Sequence, residues 1–392
     1  MSVADITIEG YCHSDFSAVE EEFRENFASR GEIGSAVCVY KDGEKVVDLW
    51  GGHTDEARTQ PWTENTITLM SSIAKSMSAL SVHMLVDRGQ VSLDEPVARY
   101  WPEFAQNGKE NILLRHTISH QCGVIFCDAA KPGDFFNYPA QVAAIAAQEP
   151  AWPAGSKGAY NSINFGFIHG EIVRRVSGKR IRDFIREEIT GPLGADYNVG
   201  LNADELVRVA PMHRNPENKF WEMGEKPGTL LHRAWGSRPI GVDLVNCHEN
   251  RVGENPSSGG HGNARAIARV YAMLANNGEI DGVRLLKPET VEQLSRVQWE
   301  DICGMTGAPR RIGLGFLHNS PPNTPMGSNI KAFGHGGSGG ALAFCDRERN
   351  MAFGSCTNFQ PSGMPPGIRT RSLVAAAFGK APDWKPEATA ES

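Results

Sequence analysis

No stretch of this 392-residue chain is long and apolar enough to cross a bilayer, so a transmembrane helix is excluded. Blocks of like charge are missing as well. The formal charge of −7 is spread along the chain and the basic residues form no stripe, which argues against a nucleic-acid partner. None of the eight cysteines stands in a Cys-x-x-Cys pair, so zinc-ribbon and dithiol chemistry lack their usual spacing. Scattered, unpaired thiols predict a reducing, cytoplasmic setting. The first ten residues carry Asp5 and Glu9 and lack an apolar run after a basic start, so no secretory signal is expected. There is no internal repeat, and the one biased segment is a charged, proline-containing tail after Ala381.

What is present is a large apolar fraction, 40%, enough for a sizeable core in two lobes. Phe16 to Arg30 reads as a surface helix with one apolar stripe. Ser35–Tyr40 and Lys45–Trp50 are β-rich runs joined across Asp42-Gly43, a hairpin signal. Helical periods follow at Ala140–Ala147, Asn164–Gly178, Arg180–Ile189, Arg265–Asn277 and Lys287–Gln298. Near the end, Leu342–Cys345 and Met351–Cys356 look like two strands around a turn, before a helix at Ile368–Phe378. This order predicts an α+β fold whose antiparallel sheet is built from both chain ends and flanked by helices. Residues 1–65 and 262–392 would form that lobe. Residues 66–261 would form an inserted, mainly helical lobe, in which a loop-rich segment, 203–260, covers a pocket.

The stretch from Leu69 to Met77 carries the chemistry. An extended apolar run there becomes a helix, with Ser72 at its mouth and Lys75 one turn along, on the same face. A helix start favours negative charge, and a buried lysine can act as a base, so Ser72 is read as a nucleophile, although such a pair in isolation is more often an N-cap and a solvated lysine and other residues must decide. A second Ser-x-x-Lys, Ser328 to Lys331, follows prolines and Gly327 with no apolar period after it and reads as a loop. His116 and His120 stand four apart, but no third ligand follows at a suitable spacing, so they are read as structural and no metal is expected.

With Tyr160-Asn161-Ser162 and His335-Gly336-Gly337 added, the chain resembles the serine β-lactamase and penicillin-binding-protein superfamily, most closely the family VIII carboxylesterases. The stretches Arg88–Val97, Arg115–His120, Gly260–Gly262 and Phe333–Gly340 carry the same resemblance. It implies an acyl-enzyme on Ser72, with Lys75 and Tyr160 sharing the proton transfers and either able to be the base. It implies an oxyanion hole from the backbone N–H groups of Ser72 and Ser338, and no cofactor. His335, Gly336, Gly337, Ser162 and Trp235 are the expected substrate-binding residues. In the β-lactamases a lysine and an asparagine occupy the places of His335 and Ser162, so esters are expected over β-lactams. Short acyl chains are expected, and β-lactamase, D-amino acid peptidase or acyltransferase action, or a non-catalytic penicillin-recognition role, are the alternatives. Gly336–Gly340 also spells Gly-x-Ser-x-Gly, the nucleophile elbow of α/β-hydrolases, but an elbow needs a helix after it where a strand is read here.

Overall fold

Asp42 and Gly43 both adopt positive φ, +51° and +84°, so the first hairpin turns as its two residues require. It joins Gly34–Lys41 to Glu44–Gly52, the centre of one half of a nine-stranded sheet. The computed structural model describes residues 6–379 apart from positions 240 and 242; the tail after Ala381 lies outside them. In spatial order the sheet runs 8–12, 44–52, 34–41, 351–357, 342–346, 333–336, 317–318, 309–312 and 299–302, with every neighbour antiparallel. Both ends of the chain therefore meet in one α+β sheet, where Val39 pairs with Phe353 and Phe353 with Phe344.

Helix Ala264–Ala275 packs on the central strands, and Gly354 makes that approach possible. A Cβ there would lie 2.4 Å from the Ala264 carbonyl. Helices Ser17–Ser29 and Gly367–Phe378 pack on each other. Helix Ala74–Asp87 packs against Asn164–Ser177, which Gly178 terminates at φ +76°.

The helix near Ser72 gains detail, and the expectations for 180–189 and 203–260 need correction. The helix after Ser72 begins at Ala74, so Ser72 sits in the turn before it. That helix is buried on all sides from Ala74 to Leu85, with its hydroxyls paired inside, as Ser76 Oγ is with the Tyr271 hydroxyl at 2.7 Å. Residues 181–190 are one helical turn followed by a wider π-helical segment. Segment 203–260 is not mere loop: it holds short helices at Ala203–Leu206, Lys219–Glu225, Leu230–Ala234 and His248–Val252.

Several strands were not read from sequence at all. Ile8–Cys12, Trp299–Ile302 and Pro309–Ile312 are half exposed and charged or interrupted by glycine and proline, so no alternation marks them. The extended run before Ser72 was read, but not its pairing: strand Thr68–Ser71 joins Gly260–Gly262 and Tyr197–Val199 in a small second sheet that delivers the chain to Ser72. Among the described residues no helix is long and apolar enough to cross a membrane.

Candidate active site

Strand Thr68–Ser71 ends abruptly because Ser71 takes a left-handed φ of +47°, a conformation that costs a non-glycine residue on the order of 1 kcal/mol. The chain bends there, and the Lys75 N–H donates to the Ser72 carbonyl at 3.1 Å to start the helix. Ser72 is thus held at the junction of sheet and helix. Lys75, one turn on, is fully buried, and its Nζ donates to Ser72 Oγ at 3.2 Å and to the Ser257 carbonyl at 2.9 Å. No carboxylate pairs with it among the described residues. Burial alone pulls its pKa down to about 7, so an appreciable fraction is neutral amine at neutral pH.

Tyr160 closes the group. The Lys75 ammonium lies 5.1 Å from its ring centre, and its side chain hydrogen-bonds Ser72. A cation beside a phenol lowers its pKa. Burial instead raises it, and the bond to Ser72 and the charge of Arg310 only partly oppose this. Tyr160 therefore stays a neutral phenol. Its backbone is fixed by an N–H donated to Cys303 Sγ at 3.2 Å, and its ring stacks on His120 at 5.1 Å. His120 in turn accepts the Asn161 N–H at 2.9 Å, and His116 accepts from Leu113 N–H, so both histidines organise loops.

His335 lies in strand Phe333–Gly336, its ring 6.0 Å from that of Tyr160. Its Nδ1 donates to the Gly336 carbonyl at 2.8 Å, which leaves Nε2 as a bare, buried acceptor. Burial and the nearby Lys75 charge lower its pKa to about 3, so the imidazole is neutral throughout the physiological range. The turn after it, Gly337 to Gly340, leads straight into strand Leu342–Asp346. A strand-turn-strand arrangement is not a nucleophile elbow. Gly337 lets this turn touch the Ser72 strand, since a Cβ on it would lie 2.4 Å from the Met70 carbonyl. Asn218 Nδ2 holds the turn through the Ser338 carbonyl at 3.1 Å. Among the described residues neither the Ser72 nor the Ser338 backbone N–H has an acceptor, so both can donate to a ligand oxygen.

Two clefts meet at these serines, with about 620 and 480 Å³ of empty space. Ser72, Ser338 and Phe220 line both. The first also has Tyr160, His335, Gly336, Gly337 and Arg310 on its wall. The second has Ser162, Phe135, Trp221 and Trp235. Ser162 Oγ is buried there without a partner, while Asn161 faces away and donates to the Val124 carbonyl at 3.0 Å. Trp235 meets Trp221 edge to face at 5.1 Å, and Arg238 covers it at 4.1 Å. All the residues expected at the site thus gather around Ser72. Sequence reasoning missed Ser257, Cys303, Asn218 and Arg310, which lie in no motif and come near only through the fold. The loop reading of Ser328 to Lys331 agrees with the structure, where Lys331 is exposed and paired with Glu348 at 2.6 Å.

Residues 16–378 match the β-lactamase family. The chain belongs to that family. Within it, Esterase/beta-lactamase LipL of Mycobacterium tuberculosis is 33% identical over 353 residues, covering 86% of this chain and 80% of LipL. A crystal structure of a family VIII carboxylesterase superposes with a TM-score of 0.87 at 32% identity, covering 95% of this chain and 99% of that one. A penicillin-binding protein homologue from Caulobacter crescentus superposes at 0.84 with 35% identity, over the same shares of the two chains. This β-lactamase family chain is an enzyme, a serine hydrolase.

Proposed function

We propose that the protein hydrolyses small carboxylic esters through an acyl-enzyme on Ser72. The observation that carries this reading is the 3.2 Å hydrogen bond from Lys75 to Ser72 Oγ, made by a buried lysine with no carboxylate beside it. In this mechanism neutral Lys75 takes the Ser72 proton as Oγ attacks the ester carbonyl. The free N–H groups of Ser72 and Ser338 receive the oxyanion; losing one such donor costs about 3 kcal/mol. The Tyr160 phenol passes its proton to the departing alcohol and regains one from the Lys75 ammonium. Water then attacks the acyl-enzyme by the same route in reverse. Because Tyr160 lines the first cleft and not the second, the alcohol leaves through the first and the acyl group occupies the second.

The aromatic wall of the second cleft supports a preference for short acyl chains. The same reading takes the partner to be a small ester, and eight free cysteines suit a reducing cytoplasm. The test is intact-mass analysis after a fluorophosphonate. One adduct is expected on the wild type and on Ser338→Ala, and none on Ser72→Ala. With p-nitrophenyl esters from acetate to decanoate, kcat/KM is expected to peak at the short end; a maximum at decanoate rejects that part. The name of LipL favours a second reading, β-lactam hydrolysis at the same centre, and nitrocefin turnover rivalling that of the esters would select it.

A further inference from the structure

The wall of the first cleft holds one formally charged side chain among its described residues, Arg310, and no acid. Arg310 stands in strand Pro309–Ile312 beside Arg311, which pairs with Glu300 at 2.9 Å. No such partner exists for Arg310 among the described residues. Its Nη1 donates to Thr324 Oγ1 at 2.6 Å, and its shielded Nε has no acceptor. A guanidinium carries five N–H donors in a planar fork, and a half-buried cation left without an anion is costly to the fold. A second unpartnered donor lies beside it: Thr306 lines this cleft, and its buried hydroxyl has no hydrogen-bond partner among the described residues. His335, neutral and with a bare lone pair at Nε2, cannot supply positive charge here.

We propose that Arg310, with the Thr306 hydroxyl, anchors a carboxylate on the alcohol half of the ester. This assignment rests on the esterase reading, which places the departing alcohol in this cleft. One guanidinium and one hydroxyl match a planar monoanion; a phosphate dianion calls for more positive charge than the wall offers. Packing lowers the Arg310 pKa, yet an arginine stays protonated at neutral pH, so the anchor is always charged. The natural substrate is then an ester of a hydroxy acid or of a phenol bearing a carboxylate. It is held by its anion, so that the scissile carbonyl lies over Ser72.

The test compares 3-acetoxybenzoate with its methyl ester, reading acetate release by the full-length enzyme. The wild type is expected to favour the carboxylate at least tenfold in kcat/KM. Arg310→Gln should collapse that ratio by about tenfold or more, Arg310→Lys should retain part of it, and Thr306→Val should lower it less. Because the ratio is taken within one preparation, partial loss of folded protein does not move it. Equal use of the two esters by the wild type, or an unchanged ratio in Arg310→Gln, overturns the proposal. Should Arg310→Gln fail to fold, inhibition of wild-type p-nitrophenyl acetate hydrolysis decides: benzoate is expected to bind at least tenfold more tightly than benzamide, and equal binding overturns the proposal. Turnover of p-nitrophenyl acetate without carboxylate preference sinks this inference alone. Absence of any ester turnover and of phosphonate labelling at Ser72 sinks the esterase reading beneath it.

Discussion

Lys75 is where burial becomes chemistry. Its folded pKa of about 7 lies well below the value of about 10.4 for a free lysine, so the protonated form is disfavoured in the native protein. Two outcomes follow, and both rise with pH. Activity is expected to rise with pH through a single ionisation near 7, as Lys75 becomes a competent base, and His335, neutral down to about 3, adds no inflection between pH 5 and 6.5. A kcat profile flat from pH 5.5 to 8.5 contradicts this. Stability rises with pH as well, over a higher window: below pH 7 the native state carries a buried charge that costs it, and the cost fades as pH climbs from about 7 toward the free-lysine value. Lys75→Met should therefore lower kcat about 10³-fold while raising the unfolding midpoint, more at pH 6 than at pH 10. Urea melts at the two pH values read the difference directly. Tyr160→Phe, which keeps the ring packed on His120 but removes the proton relay, should lower kcat about 10²-fold with little change in stability.

The turn Gly337–Gly340 and the strand Thr68–Ser71 act as a pair, because, of the two N–H groups proposed to hold the oxyanion, one, of Ser338, lies in the turn and the other, of Ser72, follows directly on the strand. Their approach depends on a missing side chain. Gly337→Ala puts a methyl group where only 2.4 Å separates it from the Met70 carbonyl, and backbone cannot yield as a flexible side chain can. The turn must back away from Ser72. A fall in kcat of about 10²-fold is expected, with a smaller change in KM, as for loss of one oxyanion donor. Steady-state kinetics with p-nitrophenyl acetate checks this; a variant altered in KM alone would place the turn outside the oxyanion site. The same elements show why local reading stopped short. Ser-x-x-Lys marks where the site lies, but the left-handed Ser71 that delays the helix to Ala74 is an ordinary serine in the sequence. Helix Ala74–Asp87 carries apolar residues at helical spacing, yet Ser76, Ser78 and Ser81 are buried too, because the Tyr271 hydroxyl, the distant Pro256 carbonyl and the Met77 carbonyl one turn back satisfy them in that order.

Across the molecule, a single apolar cluster joins the sheet to the helices around Ser72, running from Val39 and Phe353 through Met77 and Leu80 to Phe165 and Ile168. One cooperative calorimetric transition is expected in consequence, with helical and sheet signals lost together; two separated transitions would show lobes that fold apart. The two-ended sheet was legible because its central strands are apolar, branched and bounded by turn residues, so local chemistry alone specifies them. That Ser72, Lys75 and Tyr160 would come together was legible through the resemblance that their motifs carry. Strands such as Trp299–Ile302 and Pro309–Ile312 were not, since charged and proline-bearing segments become strands only when a neighbour supplies the ladder. Spacing along the chain determined which residue types could do the chemistry and roughly where the hairpins and helices fall. Only the tertiary structure decided the rest. Burial set the proton affinities of Lys75, Tyr160 and His335, and long-range pairing carried Ser257 to the lysine and Arg310 to the cleft. Both effects arise from what surrounds a side chain, and neighbours remote in sequence leave no mark on the residues beside it.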